Sequence, residues 1–238
     1  MIGRVVLLAA ASAMLLGGCQ LLRLAETGPA ACVTLQVGPV DGAPASDAQV
    51  GATADVIARR LDALGARDAS YALLHPDQQL IVGLPAGDTA RWRRAMEQPG
   101  ELTFVPVPTD LSEQVMDGQP LPIGMDPTPL FDGSAIVDAE VSSDELGRPS
   151  VSLSLASDAA AIFDAHAAAH FGERFAMVLD GIVLSAPSIN ATEFNGKAQI
   201  SGNFTPEEAE DLVAALESGP LPVPVSEVSV TDAIGGGC

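Results

Sequence analysis

Residues 175–187 read FAMVLDGIVLSAP, and this stretch decides how the second half of the chain folds. Two apolar runs, residues 175–179 and 182–185, flank the pair Asp180-Gly181. A two-residue loop of this type is the strongest short-range signal for a β-hairpin, because these residues tolerate the positive φ angles that the turn needs. The stretch therefore predicts two antiparallel strands joined by a tight turn.

Segments beside the hairpin extend it into a small α+β unit. Val151, Leu153 and Leu155 alternate with serine, which is typical of a strand with one buried face. The other predicted elements are strands at residues 134–141 and 197–202 and a helix over residues 157–171.

A second helix is marked by residues 205–208, Thr-Pro-Glu-Glu. They combine an N-cap hydroxyl, a proline in the first turn and a glutamate that completes a capping box. We expect this helix to end at Gly219. A strand over residues 221–230 should follow. Its prolines lack a backbone N–H, which places the beginning of this strand at a sheet edge.

The first half of the chain predicts strand, helix, strand, strand, helix and strand. This order suits a ferredoxin-like layer, with helices on one face of an antiparallel sheet. The segments are residues 32–37, 50–64, 71–74, 79–84, 88–98 and 101–107. Residues 106–129 contain six prolines, which predicts a loop or a crossing into the second unit.

Residues 1–19 have the layout of a secretory signal. Arg4 precedes a short apolar run, and Gly17-Gly18-Cys19 resembles a lipobox. The apolar run is shorter than the roughly 20 residues that a bilayer span needs. We expect removal of residues 1–18 and lipidation of Cys19. A plain signal peptide with an incidental cysteine is the alternative.

The charge balance excludes some classes of partner. The chain has 31 acidic and 11 basic residues, a net charge of −20 and a pI near 4.1. Loss of Arg4 with the signal would leave 10 basic residues and a net charge of −21. Nucleic acids and anionic lipid surfaces bind basic patches, so neither is expected as a partner of the folded part.

The sequence contains no nucleophile elbow, phosphate loop or dinucleotide fingerprint. His166 and His170 lie four residues apart on a predicted helix, a spacing that can hold a metal, but no third ligand is evident. Two ordinary, partly exposed histidines are the preferred interpretation. We therefore predict no enzyme activity, no cofactor and no metal.

Basic residues are concentrated in one part of the chain. Six of the ten that remain after removal of the signal lie within residues 59–94. A docking patch for an acidic partner is one interpretation, and ordinary solvent-facing helix sides are the preferred one.

Several segments resemble the first periplasmic domain of SecD, a subunit of the SecDF protein-export machinery. They are residues 56–65, 80–85, 100–104, 177–187, 200–205 and 217–224, in the family's order. The resemblance implies a two-part fold: an α+β, ferredoxin-like base with a small α+β head inserted into it. The expected units are a signal peptide (1–18), a tether (19–31), the first part of the base (32–130), the head (131–203), the last part of the base (204–230) and a flexible tail (231–238).

The resemblance also implies a function. In SecD the head is thought to contact emerging polypeptides, so we expect unfolded chains, and the Sec translocon, as partners. The expected site is formed by apolar strand residues of the head: Val151, Leu153, Leu155, Val178, Ile182 and Leu184. The resemblance does not extend to the multispan region of SecD, so we expect binding without proton-coupled pulling.

Other functions remain open from the sequence. After polypeptide binding, the second alternative is an envelope scaffold or interaction lipoprotein that keeps the fold without a translocation role. An enzyme is the third alternative. In the first two cases we expect an extracytoplasmic protein, lipid-anchored to the cell membrane or to an outer membrane.

The SecD-like arrangement also implies a disulfide. In that family both ends of the domain lie on the membrane-proximal side, and here Cys32 and Cys238 lie near the two ends. An exported protein meets an oxidising environment, and these two cysteines remain after lipidation of Cys19. Gly235, Gly236 and Gly237 would provide slack for the bond. Two free thiols are the alternative.

Overall fold

The structure is a computed structural model that describes residues 28–40, 42–74, 77–233 and 238. The predicted signal peptide, Cys19 and most of the predicted tether lie outside the described residues. No helix in these ranges combines the length and the apolar character that a membrane crossing requires.

A four-stranded antiparallel sheet and two helices form the base. The elements are β1 (Ala31–Val37), α1 (Asp47–Ala63), β2 (Ser70–Leu74), β3 (Gln79–Leu84), α2 (Thr89–Glu97) and β11 (Val225–Asp232). The strand order is β11-β1-β3-β2, the arrangement of a ferredoxin-like layer. The α+β class predicted from the sequence is confirmed.

Local signals explain the base helices. The Ser46 hydroxyl and the Gln49 side chain form a capping box at the start of α1. The apolar stripe of α1 then packs on one face of the sheet, where Ile57 and Leu61 are fully buried. Burial of each such side chain contributes roughly 1.5–3 kcal/mol. The other face of β1 carries the half-buried polar residues Thr34 and Gln36.

The head contains two further sheets. The remaining elements are β4 (Leu102–Val107), β5 (Phe131–Asp132), β6 (Ile136–Ser143), β7 (Pro149–Leu155), α3 (Ser157–Ala169), β8 (Arg174–Leu179), β9 (Ile182–Ser185), β10 (Lys197–Ser201) and α4 (Pro206–Ser218). One sheet has the order β5-β4-β8-β9 and the other β10-β7-β6. The predicted hairpin is confirmed, and Asp180 and Gly181 both have positive φ.

One strand lies in a different sheet from the expected one. The strand β4 was predicted in the base, but it pairs with β8, and β11 takes the fourth place in the base sheet. Both faces of β4 are apolar: Leu102 and Phe104 join one core, and Val105 and Val107 join another. A strand buried on both faces suits the layered head better than the base sheet, whose outer face is largely polar.

The proline-rich segment is an ordered cover for the head rather than an open loop. Its Val115 and Met125 are buried against the outer face of the sheet that contains β4. The Arg174 guanidinium donates to the backbone carbonyls of Ser112 (2.5 Å), Val115 (3.2 Å) and Ala186 (2.7 Å). These bonds fix the segment to the first residue of β8.

The helix α4 connects the head to the base. Its predicted capping box between Thr205 and Glu208 is present, and Gly219 ends it with a φ of 78°. Leu212 and Leu216 pack into the head core. The next strand, β11, begins only after the prolines and runs to Asp232, two residues into the predicted tail, because Thr231 and Asp232 pair with β1.

A buried arginine joins α1, α2 and α4. The fully buried guanidinium of Arg60 donates to the carbonyls of Ala95 (2.8 Å), Gln98 (2.5 Å) and Gly219 (3.0 Å), and to the Ser218 hydroxyl (3.1 Å). Burial lowers the pKa of Arg60 to about 10, so it stays charged at neutral pH. It thereby satisfies carbonyls at the C-terminal ends of two helices.

Candidate functional site

The predicted disulfide between Cys32 and Cys238 is present, with 5.5 Å between the Cα atoms. It lies on the outer face of the base sheet, where Cys32 is directly opposite Gly83 of β3. A Cβ atom on Gly83 would lie 3.0 Å from the Cys238 sulfur, so the glycine leaves the space that the bond occupies. The disulfide therefore occupies space on the sheet that is open because residue 83 has no side chain.

Four of the six apolar residues predicted to contact polypeptide are core residues. Val151, Leu153 and Leu155 face the aromatic core of the head, and Val178 lies under the proline-rich segment. All four are buried. Of them, Leu153 borders a groove that is described below. The alternation identified a strand with one buried face correctly. Contact with a polypeptide requires that this face is not wholly covered, but α3, α4 and the other sheet cover most of it.

The other two predicted residues line a groove. Ile182 is exposed and Leu184 is half-buried, and both lie beside a cavity of about 760 Å³ between the β8–β9 hairpin and α4. Phe204 and Leu212 line its opposite side. This cavity, here called the hairpin groove, has acidic residues of α4 such as Asp211 at its rim.

A second groove adjoins the first along the strand β10. This β10 groove has a volume of about 570 Å³, and Phe194, Ala198 and Ile189 line it. Pro187 and Ser201 line both grooves, so the two meet there. Together they follow the gap between the two head sheets, from the start of α4 to Phe194.

The edge of β10 beside this groove has unpaired backbone groups. Leu155 N–H donates to the Gly196 carbonyl (2.8 Å), which makes this a hydrogen-bonded pair. Bonded and non-bonded pairs alternate in an antiparallel ladder, so the backbone groups of Gln199 point away from β7. Within the described part of the chain, no backbone hydrogen bond reaches Gln199 from that side. An extended chain can therefore pair there.

The edge of the hairpin is less available. Val183 of β9 accepts from Gly118 N–H (2.7 Å) and donates to the Gln119 carbonyl (2.9 Å). The proline-rich segment thus occupies the backbone groups of this edge strand. Of the edges of β9 and β10, the edge of β10 is the more available for docking. The sequence indicated a strand here, but nothing in it identified Phe194, Ala198 or Gln199 as surface residues of a groove.

The outer face of the sheet that contains β10 is polar. A row of serines runs along β7, where Ser152 donates to Ser142 (2.8 Å). Lys197, the only lysine in the chain, donates to Ser154 (2.7 Å). A strand added at β10 would therefore have one apolar side toward the groove and one polar side toward this row.

The cluster of basic residues is used within the molecule. Arg60 is buried, and Arg59 donates to the Ser218 carbonyl (2.9 Å). Arg91 binds Asp211 (2.5 Å) and Arg93 binds Glu227 (2.6 Å), while Arg67 and Arg94 are exposed and make long ion pairs. The interpretation as a docking patch for an acidic partner loses its support, because four of the six cations already have intramolecular partners.

The two histidines lie at the C-terminal end of α3, and both are half-buried. Their rings stack with 4.2 Å between centroids, and His170 Nδ1 is 3.1 Å from a Glu173 carboxylate oxygen. Burial, and then the charge of His170, lower the pKa of His166. No group of three potential metal ligands occurs in the part of the chain that the structure describes.

Comparison with known proteins points to one family, and the matched segment is longer than the expected head at both ends. Residues 109–223 match the family model described as SecDF, P1 head subdomain. The protein translocase subunit SecD of Rhodobacter capsulatus is 30% identical over 211 residues, which cover 82% of this chain and 38% of that protein. SecD of Rhodothermus marinus is 36% identical over 172 residues, which cover 67% of this chain and 27% of that protein. The chain spans less than half the length of these relatives.

Solved structures agree with the sequence relatives. A structure of SecDF, described as a membrane component that enhances protein export, has a TM-score of 0.68 and 26% identity, and the match covers 85% of this chain and 100% of that chain. A crystal structure of SecDF in a super-membrane-facing form has a TM-score of 0.73 at 24% identity, covers 86% of this chain and 30% of that chain, and shows the shared fold. The resemblance drawn from the sequence is confirmed.

Proposed function

Because this chain is a SecD-like periplasmic domain with a base and a head, we propose that it binds extended polypeptide outside the cytoplasm and assists protein export. The observation that carries the proposal is the free edge of β10 beside an apolar groove. Strand addition uses backbone groups that every polypeptide has, so one such edge can accept many sequences. Partners are therefore unfolded or emerging chains, delivered by the Sec translocon.

Binding by this edge is expected to be weak and reversible. One short strand with a few apolar contacts suits dissociation constants in about the micromolar range or above. The net charge of −20 favours basic or neutral chains over acidic ones. On this proposal the protein acts by holding its client, without catalysis and without proton-coupled pulling.

The proposal includes a lipid anchor at Cys19. The order of a positive residue, an apolar run and Gly17-Gly18-Cys19 supports it. A lipid would hold the module at the membrane surface, near emerging chains. Changing Cys19 to Ala should give an unprocessed or released protein in cell fractionation. A Cys19→Ala protein that is processed and membrane-held like the original would remove this part of the proposal.

The binding proposal is tested by titrating the soluble chain, without residues 1–19, with an unfolded model protein. Gln199→Pro removes the outward N–H of β10 and should abolish binding, since an edge proline cannot donate. Gln199→Ala is the matched control, because it changes the side chain and keeps the backbone donor. Equal binding by both variants, or no binding by the original chain at high micromolar concentration, would refute the proposal.

A further inference from the structure

We propose that Ala198 makes the β10 groove selective for a bulky apolar side chain in the bound polypeptide. The inference rests on the proposed function. Side chains alternate between the two faces of a strand, and residues opposite each other share a face. Ala198 is opposite the buried Leu153, so it faces the aromatic core of the head. A client residue beside Ala198 would face the same way.

The small side chain of Ala198 leaves room at this point of the strand. Ala198 is half-buried and packs against the head core, whereas Ile200, the next residue on the same face, is fully buried. The groove lies between Ala198 and the segment that contains Ile189. A client side chain larger than alanine can therefore occupy space that β10 itself does not fill.

The floor of this groove is held in place before a client binds. The Phe194 ring lies 4.8 Å, between centroids, from the ring of Phe163, which belongs to the buried core. The carboxylate of Asp164 on α3 accepts the Phe194 backbone N–H (2.7 Å). A preformed apolar surface favours a matching side chain, because little ordering is needed on binding.

The charge of the groove also defines its occupant. Among the described residues that line it, only Glu140 and Lys197 are charged, and their signs are opposite. The groove is thus close to neutral within a chain of net charge −20. The complementary partner is an extended, uncharged segment with an aliphatic or aromatic residue at the position beside Ala198.

Capped, unstructured peptides that differ at one central residue test this inference on the same soluble chain. The original protein should bind a peptide with central Phe about tenfold or more tightly than the same peptide with Ala, the scale of discrimination that a hydrophobic pocket provides. Ala198→Leu fills the groove and should reduce this preference to about threefold or less. Ala198→Val, a smaller change that keeps the fold if leucine does not, should give an intermediate preference.

Equal binding of both peptides to the original chain would overturn the inference, and so would a preference that persists in both variants. Phe171→Ala should keep the preference, since this exposed side chain lines neither groove. If the preference is lost while Gln199→Pro still abolishes binding, selectivity fails and the proposed function stands. If Gln199→Pro binds unfolded protein like the original chain, the proposed function itself fails.

Discussion

The base and the head differ in the interactions that are added to their apolar cores. In the base, Arg60 binds helix ends at defined points and a disulfide crosses the outer face of the sheet. In the head, five phenylalanine rings pack with centroid separations from 4.4 to 6.2 Å. Both parts have apolar cores, but the base adds a buried arginine and a disulfide to its packing, whereas the edge of β10 in the head stays free. The proposed polypeptide site lies in the head, at the strand edge that these additional bonds do not reach.

The largest expected effect is in the head core. Phe163 is 2% exposed and its ring contacts those of Phe131, Phe175 and Phe194. Phe163→Ala should lower the free energy of unfolding by about 3–5 kcal/mol, because it leaves a cavity among these rings. Urea unfolding followed by circular dichroism measures the loss. Phe171→Ala, at a ring that is 62% exposed, is the control and should change stability little.

The buried arginine should matter almost as much in the base. Arg60→Met keeps the side-chain length but leaves acceptors at the ends of α2 and α4 without a donor. We expect a loss of about 3–5 kcal/mol, the range for removal of one partner from a buried charged network. The same urea experiment applies, with the exposed Arg67→Met as control. A loss no greater than that of the control would show that Arg60 does not hold the base together.

Removal of the disulfide should have a somewhat smaller effect. The bond joins residues 206 positions apart, and its loss frees the unfolded chain. Cys238→Ser should cost about 2–4 kcal/mol, and reduction of the original protein should cost about the same. Thermal unfolding with and without reductant measures both. Identical transitions in the two conditions would mean that the bond does not restrain the unfolded chain.

The seam between base and head should contribute less. Arg91 of α2, whose side chain is 16% exposed, pairs with Asp211 (2.5 Å) and Glu210 (3.0 Å) of α4. Arg91→Met should cost about 1 kcal/mol, and less at high salt, because partly exposed ion pairs are weak and screened. Arg94→Met is the control, since its ion pair to Glu207 is 4.0 Å long and exposed. Salt-independent losses would indicate packing rather than charge.

The smallest effect concerns the start of α4 and depends on pH. Hydrogen bonds from Thr205 lower the pKa of Glu208. A carboxylate whose pKa is lower in the folded state contributes stability above its unfolded pKa and loses it as the pH falls through the folded value. Glu208→Gln should therefore have a lower free energy of unfolding than the original protein at pH 7, and this difference should disappear below about pH 4. A difference that stays constant over this range would contradict the capping role of the charge.

Local signals in the sequence predicted the elements well. The turn at Asp180-Gly181 and the capping box at Thr205 depend on neighbouring residues, so each was recognisable in isolation. The alternation of Val151, Leu153 and Leu155 showed which side chains share a face. It could not show what covers that face, because the covering residues come from distant parts of the chain.

Long-range pairing was the part that the sequence did not reveal. The apolar pattern of β4 fits either sheet, and its partner β8 lies about 70 residues further along the chain. The edge of β10 is free because no other strand pairs with it on that side, and a local sequence pattern does not show which strands pair. Arg60 did have a signal: it follows Ile57 by three residues and Thr53 by seven, on the buried stripe of α1. A cation on such a stripe indicates a buried role.

The disulfide gives the chain a property beyond stability. It links Cys32, the second residue of β1, to Cys238, so the polypeptide between them forms a closed covalent ring. A mechanical load applied through the N-terminal segment enters the ring at Cys32 and is transmitted by a covalent bond. When the second attachment point is Cys238, such a load bypasses residues 33–237 and does not unravel them. In single-molecule stretching between Gln20 and Cys238, we expect the length of the domain to be released only after reduction.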